Sequence, residues 1–118
     1  MKKFNIFLPT KKGKFGTDLK HVLYFESLGD SDYMVLNNDE KIELLMDVDE
    51  LEQMLWYHGF FRITKNYLIN LESVQLIFPG NNPKIVLENG KEIFVPQNRR
   101  TELFKSLEVV YQMQETLC

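Results

Sequence analysis

The feature that most restricts the fold is a series of short strand-like runs separated by turn-forming residues. The clearest example joins residues 84–87 to residues 91–95 through Glu88-Asn89-Gly90. Asn-Gly between two such runs favours a tight β-hairpin, because both residues accept the positive φ angles that the turn needs. Pro96 then ends the second strand. Hairpins of this length join antiparallel neighbours, so the sequence argues against a doubly wound parallel sheet.

Similar strand-like runs occur elsewhere in the chain. Strands are predicted over residues 4–8 (ended by Pro9), 21–26, 32–36, 41–45 and 74–78. The polar turn at residues 37–40 makes a second hairpin of the two runs beside it. Breaker residues PGNNP follow the last of these runs and separate it from the first strand of the Asn-Gly hairpin. The sheet content is therefore predicted to be high.

Two helices are predicted beside the strands. The first begins after Asp47, whose carboxylate can accept from backbone amides of the first turn while Glu50 completes a capping box. Its apolar face comprises Val48, Leu51, Met54 and Leu55. The second helix begins at about Asn98, and its apolar positions are Leu103, Leu107, Val110, Met113 (or Gln114) and Leu117. The expected fold class is mainly β with short helices, an α+β domain.

The length of 118 residues predicts one domain over residues 1–118, with residues 1–16 as a partly flexible basic segment. No run reaches the roughly 18 apolar residues of a membrane span. The start also lacks a long apolar region followed by a small-residue cleavage site. Cys118, the one cysteine, has no partner for an intrachain disulfide. We therefore expect a cytoplasmic protein that does not insert into membranes.

Charge is segregated along the chain, although the net charge is only −3. Residues 1–20 hold six lysines and one acid (+5), residues 26–52 ten acids and one lysine (−9), and residues 62–105 seven basic residues and four acids (+3). This pattern is compatible with one basic and one acidic face, and equally with chance clustering on a solvated surface. The lysines at 2, 3, 11, 12 and 14 could contact phosphates, or could only keep the N-terminal segment soluble.

No pattern of residues indicates catalysis or a metal site. His21 and His58 are far apart and have no carboxylate at ligand spacing, so a structural or surface role is favoured. The acids at 47, 49, 50 and 52 fall at the start of a capped helix, where the helix dipole stabilises them without any ligand. We expect neither an enzyme nor a bound cofactor.

Four stretches together resemble the LytTR-type DNA-binding domain of bacterial response regulators. They are HVLYFES, residues 47–55, FFRITKNYLINLESV and LENGKEIFVPQNRRTELFKSL, and they span nearly the whole chain. The resemblance implies an elongated arrangement of small antiparallel β-sheets plus a C-terminal helix, with loops entering successive major grooves of double-stranded DNA. It further implies a transcriptional regulator that recognises promoter repeats, with a second copy of the chain on the same DNA.

The resemblance also divides FFRITKNYLIN into a core and a presented tip. The core residues would be Phe60, Phe61, Tyr67, Leu68 and Ile69. The tip would be Thr64, Lys65 and Asn66, with Lys65 matching a polar or basic DNA contact. Arg62 would be either a structural arginine beneath the turn or a phosphate contact.

The second DNA-binding stretch implied by the resemblance is Asn98-Arg99-Arg100. Arg99 matches the family's base-contacting arginine and is the first choice for sequence readout, because arginine can bond bidentately to guanine. Asn98 stands where the family usually has serine, and Arg100 matches a second arginine. The alternative is that the two arginines simply open a helix and pair with Glu102 or another acid.

Several positions depart from the family pattern. Asp32 stands where some members have a DNA-contacting histidine, and Asp30 is close to it, so two carboxylates would face a polyanion unless the loop turns away or accepts from a cytosine amino group. No receiver domain precedes the match, so we expect a stand-alone regulator or the DNA-binding part of a longer one. The acidic stretch 26–52 supports an alternative function, a protein-interaction module that pairs with another regulator and binds DNA weakly.

Overall fold

The computed structural model describes residues 5–111, in which ten strands and two α-helices alternate with short 3-10 turns. The strands are β1 (Asn5–Thr10), β2 (Gly13–Asp18), β3 (Val22–Leu28), β4 (Ser31–Leu36), β5 (Lys41–Leu44), β6 (Phe60–Thr64), β7 (Tyr67–Asn70), β8 (Val74–Phe78), β9 (Lys84–Leu87) and β10 (Glu92–Phe94). The helices are α1 (Val48–Leu55) and α2 (Arg100–Val110). The 3-10 turns are Leu19–His21, Trp56–His58, Leu71–Ser73 and Gln97–Arg99.

All strand pairs are antiparallel and form three sheets. The central sheet has the order β5-β4-β3-β7-β6, while β1-β2 and β10-β9-β8 form a two-stranded and a three-stranded sheet. The molecule is elongated, with extents of 52 × 38 × 24 Å. The predicted fold class, mainly β with two short helices, is therefore confirmed.

The central sheet is covered on both faces, and alternation along its strands feeds two separate cores. On β7, Leu68 belongs to the core shared with the β1-β2 hairpin and α1, whereas Ile69 belongs to the core shared with the three-stranded sheet and α2. The same division separates Met34 from Val35 on β4. Successive side chains of a strand point to opposite faces, so one sheet supplies both cores.

Buried polar side chains fix the corner between β7 and β8 against β3. The Asn70 side-chain amide donates to the carbonyl of Val22 at 2.8 Å, and the Ser73 hydroxyl donates to the carbonyl of Leu23 at 3.2 Å.

A third buried polar side chain, Glu26, is 4% exposed and is paired with the Lys41 ammonium at 2.7 Å. The bond to Glu26 raises the pKa of Lys41 above its ordinary value. These contacts satisfy the polar groups that the two cores enclose.

Several predicted boundaries and turns need correction. The first strand does not stop at Pro9 but continues to Thr10 and pairs with β2. Proline is tolerated here because Pro9 lies in an edge strand, and its carbonyl accepts from Leu45 N at 2.9 Å. Both predicted hairpins are present, but in the second one only Gly90 has a positive φ, of 89°, and Asn89 does not. The turn is thus a three-residue loop ending in a left-handed glycine.

The helices differ from prediction at their edges. The capping box of Asp47 and Glu50 is present in both directions. The predicted core position of Met54 is wrong: this side chain is 42% exposed, because the buried stripe follows Val48, Leu51 and Leu55. The second helix starts at Arg100 after a 3-10 turn rather than at Asn98. Its predicted apolar positions Met113 (or Gln114) and Leu117 lie outside the described residues.

Candidate nucleic-acid interface

Three β-turns lie at one end of the central sheet. The β6-β7 turn adjoins the end of β3, since Ser27 N donates to Asn66 O at 2.9 Å. The β3-β4 turn, Gly29-Asp30, follows directly. Next to it, Asp32 of β4 pairs in register with Leu44, the last residue of β5. Leu45 then bonds to Pro9, just before the β1-β2 turn. We call this row of turns the turn edge.

The backbone of the β6-β7 turn is fixed on both sides. The carbonyls of Thr64 and Lys65 accept from the Arg62 guanidinium at 3.0 and 2.6 Å. The Thr64 hydroxyl accepts from Asn66 N at 3.1 Å. The side chains of Lys65 and Asn66, by contrast, are exposed and have no hydrogen-bond or ion-pair partner within residues 5–111. The turn therefore has a fixed backbone from which the side chains of Lys65 and Asn66 extend into solvent.

Arg62 joins this turn to helix α1. Its Nη1 donates to Asp49 Oδ1 and to Glu52 Oε1, both at 2.8 Å, in addition to the two carbonyl bonds of its other nitrogens. The side chain is only 17% exposed. Of the two roles open for Arg62 from the sequence, this geometry favours the structural arginine beneath the turn, because its donors are directed at the protein itself.

Arg99 lies against the outer edge of β6. Its Nε donates to Arg62 O at 3.1 Å, and its guanidinium carbon is 4.6 Å from the centre of the Phe61 ring. Its Nη1 donates to Glu102 Oε1 at 2.7 Å, the pairing considered as an alternative in the sequence. Two of its five N–H groups are thus engaged within the described part of the chain, which leaves donors for a partner.

The residues beside Arg99 differ in their surroundings. Asn98 is exposed and its side chain has no partner among the residues that the structure describes. Arg100 Nε donates to the carbonyl of Val95 at 3.2 Å, so it fastens the start of α2 to the end of the β10 segment. Arg100 is half-buried. Asn98 is the more accessible of these two positions.

The structure brings most of the predicted DNA-binding residues together. One surface depression of about 340 Å³ is lined by Arg62, Thr64, Lys65, Asn98 and Arg99, together with Glu52, Ile63 and Pro96. Asn66 lines an adjoining depression with Arg62 and Lys65, while Arg100 lines neither of the two. Two stretches about 30 residues apart in sequence therefore form one continuous surface.

Sequence reasoning anticipates Asp32 beside the DNA-binding surface but misses the acidic side chains of α1 and its N-cap that border it. Glu52 lines the first depression, and Asp32, Asp47 and Asp49 line the second. The helix dipole alone does not account for Asp49 and Glu52, since Arg62 pairs with both. The one local signal is a charged residue at an inward position between Phe61 and Ile63, which requires an acidic partner nearby.

Behind the turn edge, aromatic and charged groups are held together at the first residue of β7. The Lys91 ammonium lies 5.0 Å from the centre of the Tyr67 ring, and the Tyr67 ring meets that of Tyr24 edge-on at 5.9 Å. Hydrogen bonding to Tyr67 raises the pKa of Lys91. Burial raises the pKa of Tyr24, and the Glu26 carboxylate adds to that effect. These contacts support the base of the β6-β7 turn.

The scaffold consists of antiparallel β-sheets, and its basic and polar side chains lie on turns at one edge. This arrangement defines a class of domains that bind partners through loops rather than through a closed pocket. A model of the LytTr DNA-binding domain matches residues 13–108. The chain belongs to the LytTr DNA-binding domain family. Membership makes it a DNA-binding module.

A solved structure has the same fold. It is a LytTr DNA-binding domain of a methyl-accepting/DNA response regulator from Bacillus cereus, 20% identical in sequence, with a TM-score of 0.73. The similarity covers 91% of this chain and 98% of that one. A comparison with curated proteins finds no similar sequence.

Within residues 5–111, His, Cys, Asp and Glu side chains form no group of three or more that could hold a metal ion. None of the helices in that range is both long and apolar enough to cross a membrane.

Proposed function

We propose that this chain binds double-stranded DNA in a sequence-specific manner as a bacterial transcriptional regulator, its loops reading successive major grooves. The main support is that two neighbouring segments, the β6-β7 turn and the 3-10 turn before α2, present basic and polar side chains on one surface. The β6-β7 turn has a fixed backbone and exposed Lys65 and Asn66 side chains, and the segment before α2 presents Asn98 and Arg99. Rigid placement of exposed donors lowers the entropy lost on binding.

In this proposal Lys65 and Arg99 have different tasks. Lys65 is a flexible point charge that suits phosphate contact, whereas the planar Arg99 guanidinium suits bidentate bonding to guanine O6 and N7. To reach a base, Arg99 exchanges its 2.7 Å bond to Glu102 for bonds to DNA. Glu102 therefore competes with DNA for the same guanidinium.

The first experiment is a fluorescence-anisotropy titration with the duplex upstream of the chain's own gene and a scrambled duplex, each at several salt concentrations. We expect preference for the upstream duplex and a steep loss of affinity with salt, because phosphate neutralisation releases counterions. Binding of neither duplex at low salt would refute the proposal.

Variants of the Arg99 pair then test the assignment of roles. Arg99→Ala is expected to cost about 1–3 kcal/mol of binding free energy on the preferred duplex and to relax discrimination at one base pair. Glu102→Gln, which removes the competing acceptor, should tighten binding. Unchanged affinity of Arg99→Ala would show that Arg99 does not read DNA.

A second function, interaction with another regulatory protein, is favoured by one observation. Trp56 and Tyr57 are stacked at 3.8 Å and exposed by 57% and 79% directly after the acidic helix α1. Charge reversal at Asp30 and Asp32 separates the two functions. If DNA is the partner, changing both to Lys keeps or raises affinity for the duplex; if a protein is the partner, it weakens that complex instead.

A further inference from the structure

The β1-β2 turn is the most basic element of the turn edge, and the proposed function leaves it without a role. Its three lysines, Lys11, Lys12 and Lys14, are exposed. None of them pairs with a carboxylate in the part of the chain that the structure describes. Lys41, Lys84 and the two arginines Arg62 and Arg99, by comparison, are all in ion pairs.

The turn that bears these lysines has a defined geometry. The Thr10 hydroxyl donates to Gly13 O at 2.6 Å and accepts from Lys12 N at 3.1 Å, and Gly13 has a φ of 118°. Below the turn, Phe7 lies across Gly16, where an added Cβ would come within 2.4 Å of the ring. The lysines therefore extend from a hairpin that is held by its own hydrogen bonds and packing.

The position of this hairpin places its charges at the far end of the turn edge from Arg99. Pro9 bonds to Leu45, and Lys11 follows Pro9 by two residues, so its Cα lies within about 8 Å of that bond. From there the strands β5, β4, β3, β7 and β6 follow side by side at about 4.8 Å each, and Arg99 bonds to the outer edge of β6. The four strand spacings add up to about 19 Å, and the reaches to Lys11 and to Arg99 bring the separation of the two ends to at most about 30 Å, comparable to the roughly 34 Å of one turn of B-DNA.

The middle of the turn edge, in contrast, is acidic. Asp30 is exposed in the β3-β4 turn, and Asp32 and Asp47 line the depression beside it. Asp49 in the same depression is paired with Arg62, and Lys65 lines the depression as well. A polyanion lying along this edge meets repulsion in the centre, so attraction must come from the two ends. Lys65 and Arg99 supply this attraction at one end. At the other end, the β1-β2 turn with Lys11, Lys12 and Lys14 (the lysine hairpin) holds the only group of unpaired cations among the residues that the structure describes.

We propose that the β1-β2 turn is a second DNA-binding site, in which Lys11, Lys12 and Lys14 contact the phosphates of one DNA segment about one helical turn from the segment contacted by Arg99. This inference rests on the proposed DNA binding and adds a site to it. The lysines contribute affinity without sequence preference, because phosphate contacts are the same for every sequence.

The test uses the full chain and both duplexes described above. Replacing the three lysines together by glutamine should raise the Kd for both duplexes by about the same factor, at least roughly tenfold at about 0.1 M salt. It should also reduce the slope of log K against log salt by about 2.7, which corresponds to about 0.9 for each phosphate that is no longer neutralised. Lys12→Gln alone should reduce the slope by about 0.9.

The matched control is Lys20→Gln. Lys20 is also exposed and its replacement removes the same charge, but it precedes β3 and so lies at the opposite end of the central sheet. The control should leave slope and Kd nearly unchanged, and thermal unfolding should show that all variants are folded.

Each outcome is decisive. If the wild type binds and the triple variant binds equally well, the hairpin site is wrong while the proposed function stands. An equal effect of Lys12→Gln and Lys20→Gln would reduce the hairpin to general surface charge and also overturn the site. A weakening confined to the preferred duplex would contradict phosphate contact. Failure of the wild type to bind either duplex would refute both proposals together.

Discussion

Replacing Arg62 by glutamine removes the side chain that joins the β6-β7 turn to helix α1. The two charge-assisted bonds to the carbonyls of Thr64 and Lys65 disappear. Because this turn is accessible to water, we take about 1–1.5 kcal/mol for each bond, at or just below the low end of the range for hydrogen bonds to charged groups. The ion pairs add little: Asp49 is 79% and Glu52 42% exposed, so together they contribute about 0.5–1 kcal/mol.

The glutamine amide can recover one of the two carbonyl bonds, so the expected loss is about 1.5–2.5 kcal/mol of unfolding free energy. Urea unfolding followed by far-UV circular dichroism measures this loss as a lower midpoint at unchanged slope. Asp49→Asn, which removes only the more exposed partner, is the control and should stay within about 0.5 kcal/mol of the wild type. A loss below about 0.5 kcal/mol for Arg62→Gln would refute the idea that the carbonyl bonds stabilise the turn.

The same substitution should weaken DNA binding even though Arg62 is not proposed to contact DNA. Without the guanidinium, the backbone of Lys65 and Asn66 has more freedom, and more entropy is lost when the turn is ordered on DNA. Anisotropy titration of Arg62→Gln should therefore give a higher Kd at a nearly unchanged salt slope. A reduced slope would instead make Arg62 a phosphate contact.

Three further predictions concern stability. Lys41→Met should lower the unfolding free energy measured in urea by about 1–3 kcal/mol, because it leaves the buried Glu26 without its cation. The expected loss is smaller than for a fully buried ion pair, since Lys41 is 45% exposed. Stability should fall above about pH 10, because the pKa values of Tyr24, Lys41 and Lys91 are raised in the folded state. The stabilisation that these three groups contribute is complete below their unfolded pKa values of 10.0 and 10.5, and it is lost as the pH rises through their folded pKa values. A melting temperature that stays constant from about pH 9 to about pH 12 would contradict this. Leu103→Ala should cost about 2–5 kcal/mol, since Leu103 is fully buried between α2 and the sheets, and a loss under about 1 kcal/mol would show that the site collapses around the cavity.

Local patterns in the sequence are sufficient for much of the fold. The limits of β8 and β9 agree with prediction, and the capping box of Asp47 and Glu50 marks the start of α1 correctly. These features depend on residues a few positions apart. The prediction for Met54 fails because the buried stripe of so short a helix is narrow, and that for Pro9 fails because an edge strand tolerates a missing amide.

The candidate site is only partly predictable, because its contacts join distant parts of the chain. The resemblance indicates Lys65 and Arg99, but Arg62 meets Glu52 and Asp49 across 10 and 13 residues, and Arg99 meets the Arg62 carbonyl across 37. Likewise, the bond between Pro9 and Leu45, which are far apart in sequence, is what places the lysine-bearing β1-β2 turn at the same edge. Such neighbours are set by tertiary packing, which hydrophobic periodicity does not encode.

The division of one sheet between two cores has a consequence for how such a domain can acquire new targets. The side chains of β3 and β7 that face the cores determine stability, while the turn residues at the sheet's end contribute little to either core. Substitutions such as those at Thr64, Asn66 or Asp32 can therefore accumulate with small changes in unfolding free energy. Target choice and foldability are thereby governed by separate sets of residues, and a chain of this kind can diverge in what it recognises while its scaffold stays the same.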